Sequence, residues 1–341
     1  MKTMHAIVFQ EEKNFDSLQI REAPYPEPQP GEAVVRIRAA ALNRRDVWIT
    51  QGRYPNVRVP LILGSDGAGI VEQVGEGVDP KWLGQAVIIN PALDWGNDPR
   101  VQQSGFRILG VPDDGTQAEY VRVPARNLWP RPEYLTFEEA AALPLGGLTG
   151  YRALFTRGQL AAGETVLITG VGGGVAALML QMALAAGAAA LVTSASDDKI
   201  QRAVQAGAKG GANYRTEGWE QEILRLAGDT GVDLLIDSAG GEGFDKLIEI
   251  VKPGGRIVLF GITAGRFSRI SLNKVYWRQI SILGTTMGSE ADFAQMVQFF
   301  QTQHIKPAID GVYPFSRFRE AYQRMMQGEQ FGKIVLIPDF D

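Results

Sequence analysis

No charged residue occurs between Gly170 and Ser196, a stretch long enough to cross a bilayer. Its internal grammar argues for something else. Thr165 to Thr169 is a β-branched run, Gly170 to Gly174 is dominated by glycine, and Val175 to Ala186 is built of Ala, Leu and Met. Gly187 stands where a helix C-terminus takes a positive φ, and Ala190 to Thr193 is a new apolar run. The segment therefore reads as strand, glycine turn, helix, strand. Elements covered by neighbours on both sides need no charges, so the pattern predicts a buried βαβ unit rather than a membrane span.

The same alternation continues. Val166–Thr169, Ala190–Thr193, Leu234–Asp237, Ile257–Phe260 and Ile280–Leu283 are strand candidates, with helices at Lys199–Ala206 and Phe244–Val251. This order predicts an α/β fold with a parallel sheet covered on both faces. Up to about Leu128 the pattern is different. Met4–Gln10, Leu18–Arg21, Ala33–Ala40, Ile70–Gly75 and Ala86–Ile89 read as short strands, and Pro24 to Pro30 as a stiff connector. Thr136 is a candidate N-cap with Glu138 and Glu139 in the first turn, and its helix runs through Ala142. After Gly284, Asp292–Gln301 and Phe318–Met326 read as helices, and Lys333–Ile337 as a terminal strand that returns to the first domain. The expected division is residues 1–128 with 285–341, and residues 129–284.

Composition removes whole classes of chemistry. The chain has no cysteine and only two histidines, His5 and His304. Disulfides, thiol nucleophiles, thiolate zinc sites and His-rich metal sites are thereby excluded, so no metal ligands and no zinc are assigned. A net charge of −4 argues against nucleic acid or an anionic membrane as principal partner and leaves a small molecule. Nothing near Met1 reads as a signal peptide, so a cytoplasmic protein is expected.

A glycine turn between strand and helix presents unpaired backbone N–H groups, and the helix dipole then favours a diphosphate. The G-x-G-x-x-G pattern is met imperfectly. Gly170-x-Gly172 is followed by Val175, and the shifted frame gives Val171-x-Gly173-x-x-Ala176. The candidate cradle is Gly172, Gly173, Gly174 and Val175, against a plain turn with no ligand. About twenty residues on, where an acidic side chain would hold a ribose 2′-hydroxyl, the chain has Ser194, Ser196 and Lys199 around Asp197 and Asp198. Hydroxyls and a lysine suit a 2′-phosphate, which favours NADP(H) over NAD(H). Ser196 is also a natural helix cap, and both readings hold together.

These residues resemble the medium-chain dehydrogenase/reductase superfamily. The likeness is carried by Ala41–Asp46, Leu63–Gly69, Gly115–Tyr120, Leu148–Leu154, the glycine loop, Asp237–Gly241, Pro253–Arg256 and Gly332–Leu336, in order over nearly the whole chain. The resemblance implies a discontinuous GroES-like β-barrel catalytic domain plus a Rossmann dinucleotide-binding domain, with an active cleft between them. Zinc alcohol dehydrogenases of the superfamily carry Cys where Asn43 stands, His-Glu where Ser65-Asp66 stands, and Cys near Leu145. The loop 90–110 matches the length of a four-cysteine zinc lobe and has no cysteine. The chain is thus similar to the zinc-free quinone oxidoreductase branch.

That likeness implies hydride transfer from NADPH to a quinone or α,β-unsaturated carbonyl, because a conjugated acceptor spreads the arriving charge without a Lewis acid. It assigns catalytic roles to Tyr54 and Asn43, against loop packing for the tyrosine and turn capping for the asparagine. Asp46 is expected to hold Arg44, Arg45 or a backbone group, and Asp66 to form an ion pair. For the coenzyme it implies Thr149 near the nicotinamide, Ser194, Ser196, Lys199 and Tyr214 at the adenine end, and Ala239, Gly240, Phe260, Gly261 and Ile262 after successive strands. Arg266 and Lys274 are left as surface charges. The last sheet strand usually pairs with its twin in this superfamily, so a homodimer is expected. Two other functions stand beside the leading one: a zinc-free alcohol dehydrogenase or carbonyl reductase, and a non-catalytic NADPH-binding sensor, structural or RNA-binding protein.

Overall fold

The computed structural model describes residues 2–340. Strands β1 to β10 are Thr3–Phe9, Leu18–Pro24, Glu32–Ala41, Leu61–Ile62, Asp66–Val74, Ala86–Ile89, Ala92–Leu93, Arg107–Ile108, Tyr120–Pro124 and Leu128–Pro130. Strands β11 to β18 are Thr165–Ile168, Ala189–Ser194, Gly210–Asn213, Val232–Asp237, Val251–Leu259, Ser281–Gly284, Ile309–Pro314 and Lys333–Ile337. Helices α1 to α10 are Arg44–Thr50, Phe137–Ala141, Pro144–Tyr151, Gly174–Ala185, Asp197–Gln205, Trp219–Leu226, Phe244–Ile250, Leu272–Trp277, Glu290–Gln303 and Phe318–Gln327.

Two compact units are present, residues 1–146 with 289–341 and residues 147–288. In the first, a seven-stranded sheet runs β10-β6-β5-β3-β18-β17, with β9 also on β3, beside a three-stranded sheet β2-β1-β4. Strand β18 lies between β3, antiparallel, and β17, parallel. Four of its five residues are buried, which is why Ile334–Ile337 reads as a continuous apolar run, with the buried Lys333 at its start. Phe9, Leu42, Phe315, Tyr322 and Leu336 are among the fully buried residues of this unit's core. Thr136 accepts from the Glu139 N–H and its own N–H donates to the Glu139 carboxylate, a capping box that starts α2 where expected. Helix α2 packs on β3 and β5, so residues 129–146 stay with the first unit although the change of sequence period comes earlier.

In the second unit six parallel strands take the order β13-β12-β11-β14-β15-β16. Leu167, Leu191, Leu235 and Ile257 form its fully buried centre. The uncharged segment is β11, a glycine turn, the 12-residue helix α4 and β12, and Gly187 takes φ +78° after the helix. Among the described residues no helix is long and apolar enough to cross a membrane. The strand order reverses at β11, where the chain leaves for β12 on one side and β14 lies on the other. Ligands of open parallel sheets bind outside the carboxyl ends of the strands at such a point.

Candidate functional site

Within the first unit, register brings three distant residues together. Ala41 at the end of β3 pairs with Asp66 on one side and with Val335 on the other. Asn43 follows β3, Asp66 opens β5 and Lys333 opens β18, so their side chains meet at one sheet edge. Lys333 Nζ donates to Asp66 Oδ2 at 2.7 Å and to Asn43 Oδ1 at 2.8 Å. Asn43 Nδ2 donates to the same Asp66 oxygen at 2.9 Å, and the Leu145 N–H at the start of α3 donates to Asp66 Oδ1 at 2.6 Å. All three side chains are buried. The ion pair expected of Asp66 is present, and Lys333 is its partner. Both ends of the Asn43 amide are committed to this cluster, and Asn43 is also the N-cap of α1, its N–H held by Asp46.

A zinc ion does not fit these residues. The carboxylate of Asp66 is bonded on both oxygens, and the Ser65 hydroxyl accepts from Arg45 while donating to the Leu109 carbonyl at 2.7 Å. Leu145 offers no donor atom. Among the described residues no three His, Cys, Asp or Glu side chains gather as a metal site.

Arg45 and Asp46 complete the cluster from the first turn of α1. Asp46 Oδ2 accepts the Asn43 N–H at 2.8 Å, so Asp46 holds a backbone group, and its Oδ1 has no hydrogen-bond partner. Burial pushes its carboxyl from the ordinary 3.8 up to about 6, against the opposing charges of Arg45 and Lys333 and the Asn43 bond. Tyr322, from α10, donates to Gln117 Oε1 at 2.9 Å, and burial holds its phenol well above the ordinary range. Arg45 donates from Nε to Tyr54 Oη at 3.3 Å and from Nη1 to the Leu109 carbonyl at 2.8 Å. Its guanidinium carbon lies 4.7 Å from the centre of the half-buried Tyr54 ring. Sequence reasoning missed Arg45 and Lys333. Their neighbours in space are far away in the chain, and only the Gly332-Lys333 match hinted at the lysine.

The second unit places the coenzyme candidates along one sheet edge. Gly170 and Gly172 take φ +68° and +116°, and Gly173 caps α4 without a side-chain bond, so the first N–H groups of the helix are left to an external acceptor. A Cβ on Gly172 would come within 2.6 Å of Lys199 Cδ and 3.2 Å of its Nζ, so the lysine stem lies across the glycine loop. Ala176 is buried, while Gly174 and Val175 stay half-exposed. Ser194 Oγ accepts the Ser196 N–H at 3.3 Å, Ser196 Oγ accepts the Lys199 N–H at 3.4 Å, and the Tyr214 N–H donates to the Ser194 carbonyl at 3.1 Å. Asp197 accepts from Asn213 Nδ2 at 2.9 Å. The cap and the hydroxyl cluster therefore coexist.

After β14, Asp237 accepts from the Gly240 N–H at 2.8 Å and from Thr169 Oγ1 at 2.7 Å, tying this turn to the end of β11. The Phe260 N–H donates to the Asp237 carbonyl, and the Ala264 N–H to the Ala239 carbonyl, so Phe260, Gly261 and Ile262 lie beside Ala239 and Gly240. Thr149 is buried, with Oγ1 3.8 Å from Met287 Sδ. Lys274 pairs with Asp245 and Glu249. Trp95 is buried edge-on to Phe106, whereas Trp277 is 82% exposed.

Comparison with known proteins gives concordant matches. Residues 29–133 match the family model of the alcohol dehydrogenase GroES-like domain, and residues 174–302 that of the zinc-binding dehydrogenase. The chain is 35% identical to the zinc-type alcohol dehydrogenase-like protein YogA of Leptosphaeria maculans over 94% of both chains. It is 28% identical to quinone oxidoreductase-like protein 2 of Bos taurus, over 91% of this chain and 86% of that one. The solved structure of an NAD-dependent alcohol dehydrogenase superposes with a TM-score of 0.90 at 36% identity, covering 98% of this chain and 99% of that chain.

The raised carboxyl of Asp46 has a thermodynamic signature. Between about pH 4 and pH 6 the folded chain keeps a proton that the unfolded chain has released, so this group's contribution to stability falls as pH rises through that window. Asp46→Asn removes the titration while retaining an oxygen for the Asn43 N–H. Relative to the wild type, the variant should gain about 1–3 kcal/mol of unfolding free energy between pH 4 and pH 7. Any cost of its unpaired amide N–H is constant with pH and cancels. Urea unfolding at four pH values measures this, and parallel stability curves would remove the assignment.

Proposed function

We propose that this chain, which belongs to the medium-chain dehydrogenase/reductase superfamily and is thereby an oxidoreductase, passes hydride from NADPH to a quinone or an α,β-unsaturated carbonyl without a metal ion. The observation that carries this reading is the Lys333–Asp66–Asn43 cluster, whose carboxylate is engaged on both oxygens by an ammonium, an amide and a backbone N–H. A simple ketone needs a Lewis acid or strong donor for the alkoxide that forms on its oxygen. A conjugated acceptor delocalises that charge and needs one proton donor. Tyr54 is the donor in this reading, and Asn43 supports the cluster by fixing Lys333. The name of the bovine relative accords with this substrate class.

A bound reduced nicotinamide supplies the hydride. The open N-terminus of α4 and the Gly172–Val175 backbone hold its diphosphate, and Thr149 lines the nicotinamide end. Ser194, Ser196, Lys199 and Tyr214 receive the 2′-phosphate, a preference favoured by Asp197 being engaged with Asn213. Ala239, Gly240 and Phe260–Ile262 complete the edge along which the coenzyme runs. The subunit pairs with a second copy through β16, whose outer side is an open sheet edge. Close by in sequence, Phe267, Leu272, Tyr276 and Trp277 are 89%, 73%, 69% and 82% exposed, an apolar group that a partner copy would cover.

Assayed by loss of reduced nicotinamide against quinones, enones, aldehydes and alcohols, the purified chain should turn over the conjugated acceptors and be indifferent to chelators. Turnover confined to simple alcohols, or activity lost on chelation and restored by zinc, would contradict the reading. By calorimetry NADPH should bind more tightly than NADH, and Lys199→Ala should weaken NADPH by about tenfold or more while changing NADH little. Equal affinities would remove the role given to Lys199. The wild type should sediment as a dimer and Trp277→Glu/Ile282→Lys as a monomer, an outcome that an unchanged sedimentation coefficient would rule out.

A further inference from the structure

Arg45 is a buried cation whose bonds all go to neutral oxygens. It is 7% exposed, and its guanidinium reaches Tyr54 Oη, Ser65 Oγ and the Leu109 carbonyl. Nη2 is buried with no hydrogen-bond partner. Among the described residues no carboxylate pairs with it, although Asp46 acts on it through space and Lys333 and Asp66 stand beyond. Burying an arginine this way is costly, and a purely structural arginine would be matched by a carboxylate. The arrangement makes sense when negative charge arises beside it during the reaction.

The geometry points to where. Arginine has no acceptor, so Tyr54 Oη must be the acceptor in the 3.3 Å bond from Nε. The phenol hydrogen therefore points away from Arg45, and among the described residues none accepts it. The ring is held by the guanidinium 4.7 Å from its centre. We infer that Arg45 is a positioning residue for Tyr54, aiming its O–H at a conjugated acceptor and compensating the phenolate left when that proton is given up. The inference rests on the reading of the chain as a conjugated-acceptor reductase. Hydride with its electron pair joins the acceptor, which becomes an enolate or hydroquinone anion. Tyr54 then transfers its proton to that anion, keeping the O–H electron pair as phenolate beside Arg45, and a water proton restores the phenol. The sum is acceptor, NADPH and one proton giving reduced acceptor and NADP⁺.

The test uses Arg45→Ala, Arg45→Lys, Tyr54→Phe and the double variant Arg45→Ala/Tyr54→Phe, with the acceptor the wild type reduces best. Tyr54→Phe and Arg45→Ala should each lower kcat by about 10- to 100-fold with the KM for NADPH unchanged, and the double variant should be no more than about threefold worse than either. Arg45→Lys should recover part of the loss. Millimolar guanidinium should restore turnover to Arg45→Ala and none to the double variant. Losses that multiply independently, or rescue that persists without the phenol, would overturn the inference. A spectroscopic arm does not depend on turnover: the Cζ resonance of ¹³C-labelled Tyr54, assigned by its absence in Tyr54→Phe, should move in Arg45→Ala and return with guanidinium. A wild type that reduces no conjugated acceptor refutes the functional reading, whereas a Tyr54 resonance indifferent to Arg45 refutes this one.

Discussion

The ammonium of Lys333 bonded to Asp66 is the contact on which the first unit's buried polar cluster depends. It joins residues 267 positions apart, so the last described strand shares one cluster with Asn43, Arg45, Asp46 and Asp66, whose side chains all come before residue 70. Both groups are almost wholly buried, and removing one partner leaves an uncompensated charge, typically at a cost of about 3–5 kcal/mol. Attraction alone does not hold such a pair. Asn43 and the Leu145 N–H supply the further bonds that satisfy the carboxylate, which is how a buried ion pair offsets its desolvation. The pairing also requires β18 to lie beside β3, and hence fixes where the chain's end must go.

Seen this way, the two units use charge in complementary manners. The first concentrates positive side chains, Lys333 and Arg45, around one satisfied carboxylate and one that burial resists ionising. The second presents backbone N–H groups and a lysine stem along a sheet edge, with the buried Asp237 held by Gly240 and Thr169 and the exposed Asp197 bonded to Asn213. Each arrangement favours a ligand or transition state that carries negative charge. Neither needs a basic protein overall, which is why a chain of net charge −4 can build both.

What the sequence makes legible follows the range of the interactions involved. Strands β6 and β18 and the cap at Thr136 are specified by neighbours within a few residues, and each falls where local pattern places it. The glycine loop and its strand-turn-helix context are local too. Strand β13 is not, since Gly210-Gly211-Ala212-Asn213 has no apolar run and is extended only because β12 lies beside it. Helix α1 is short and rich in charge, and its first turn is fixed by Asp46 reaching back to the Asn43 N–H. Likeness to a family points to Tyr54, yet the residue that bonds its hydroxyl, Arg45, reads locally as one more charge in a polar turn. Asn43 illustrates the converse: its position was legible, but its commitment to Lys333 became visible only with the strand register.

The lobe between β6 and β9 extends the same argument. Between its ends it holds only the short strands β7 and β8, and a segment that long with little regular structure needs internal fastening. Here Asp94 accepts from both Arg107 and Arg126, Arg107 also reaches Asp113 at 2.5 Å, and Trp95 packs on Phe106 while donating to the Asp98 carbonyl at 3.0 Å. One exposed pair would contribute little, but a shared carboxylate with two arginines around an aromatic pair is a network that holds several backbone segments at once. Charged side chains thus organise both the lobe and the Lys333–Asp66 cluster. The two differ in burial, and that difference decides their use: the half-exposed network can only fasten a loop, whereas the buried cluster keeps its field at close range, where a developing negative charge would feel it.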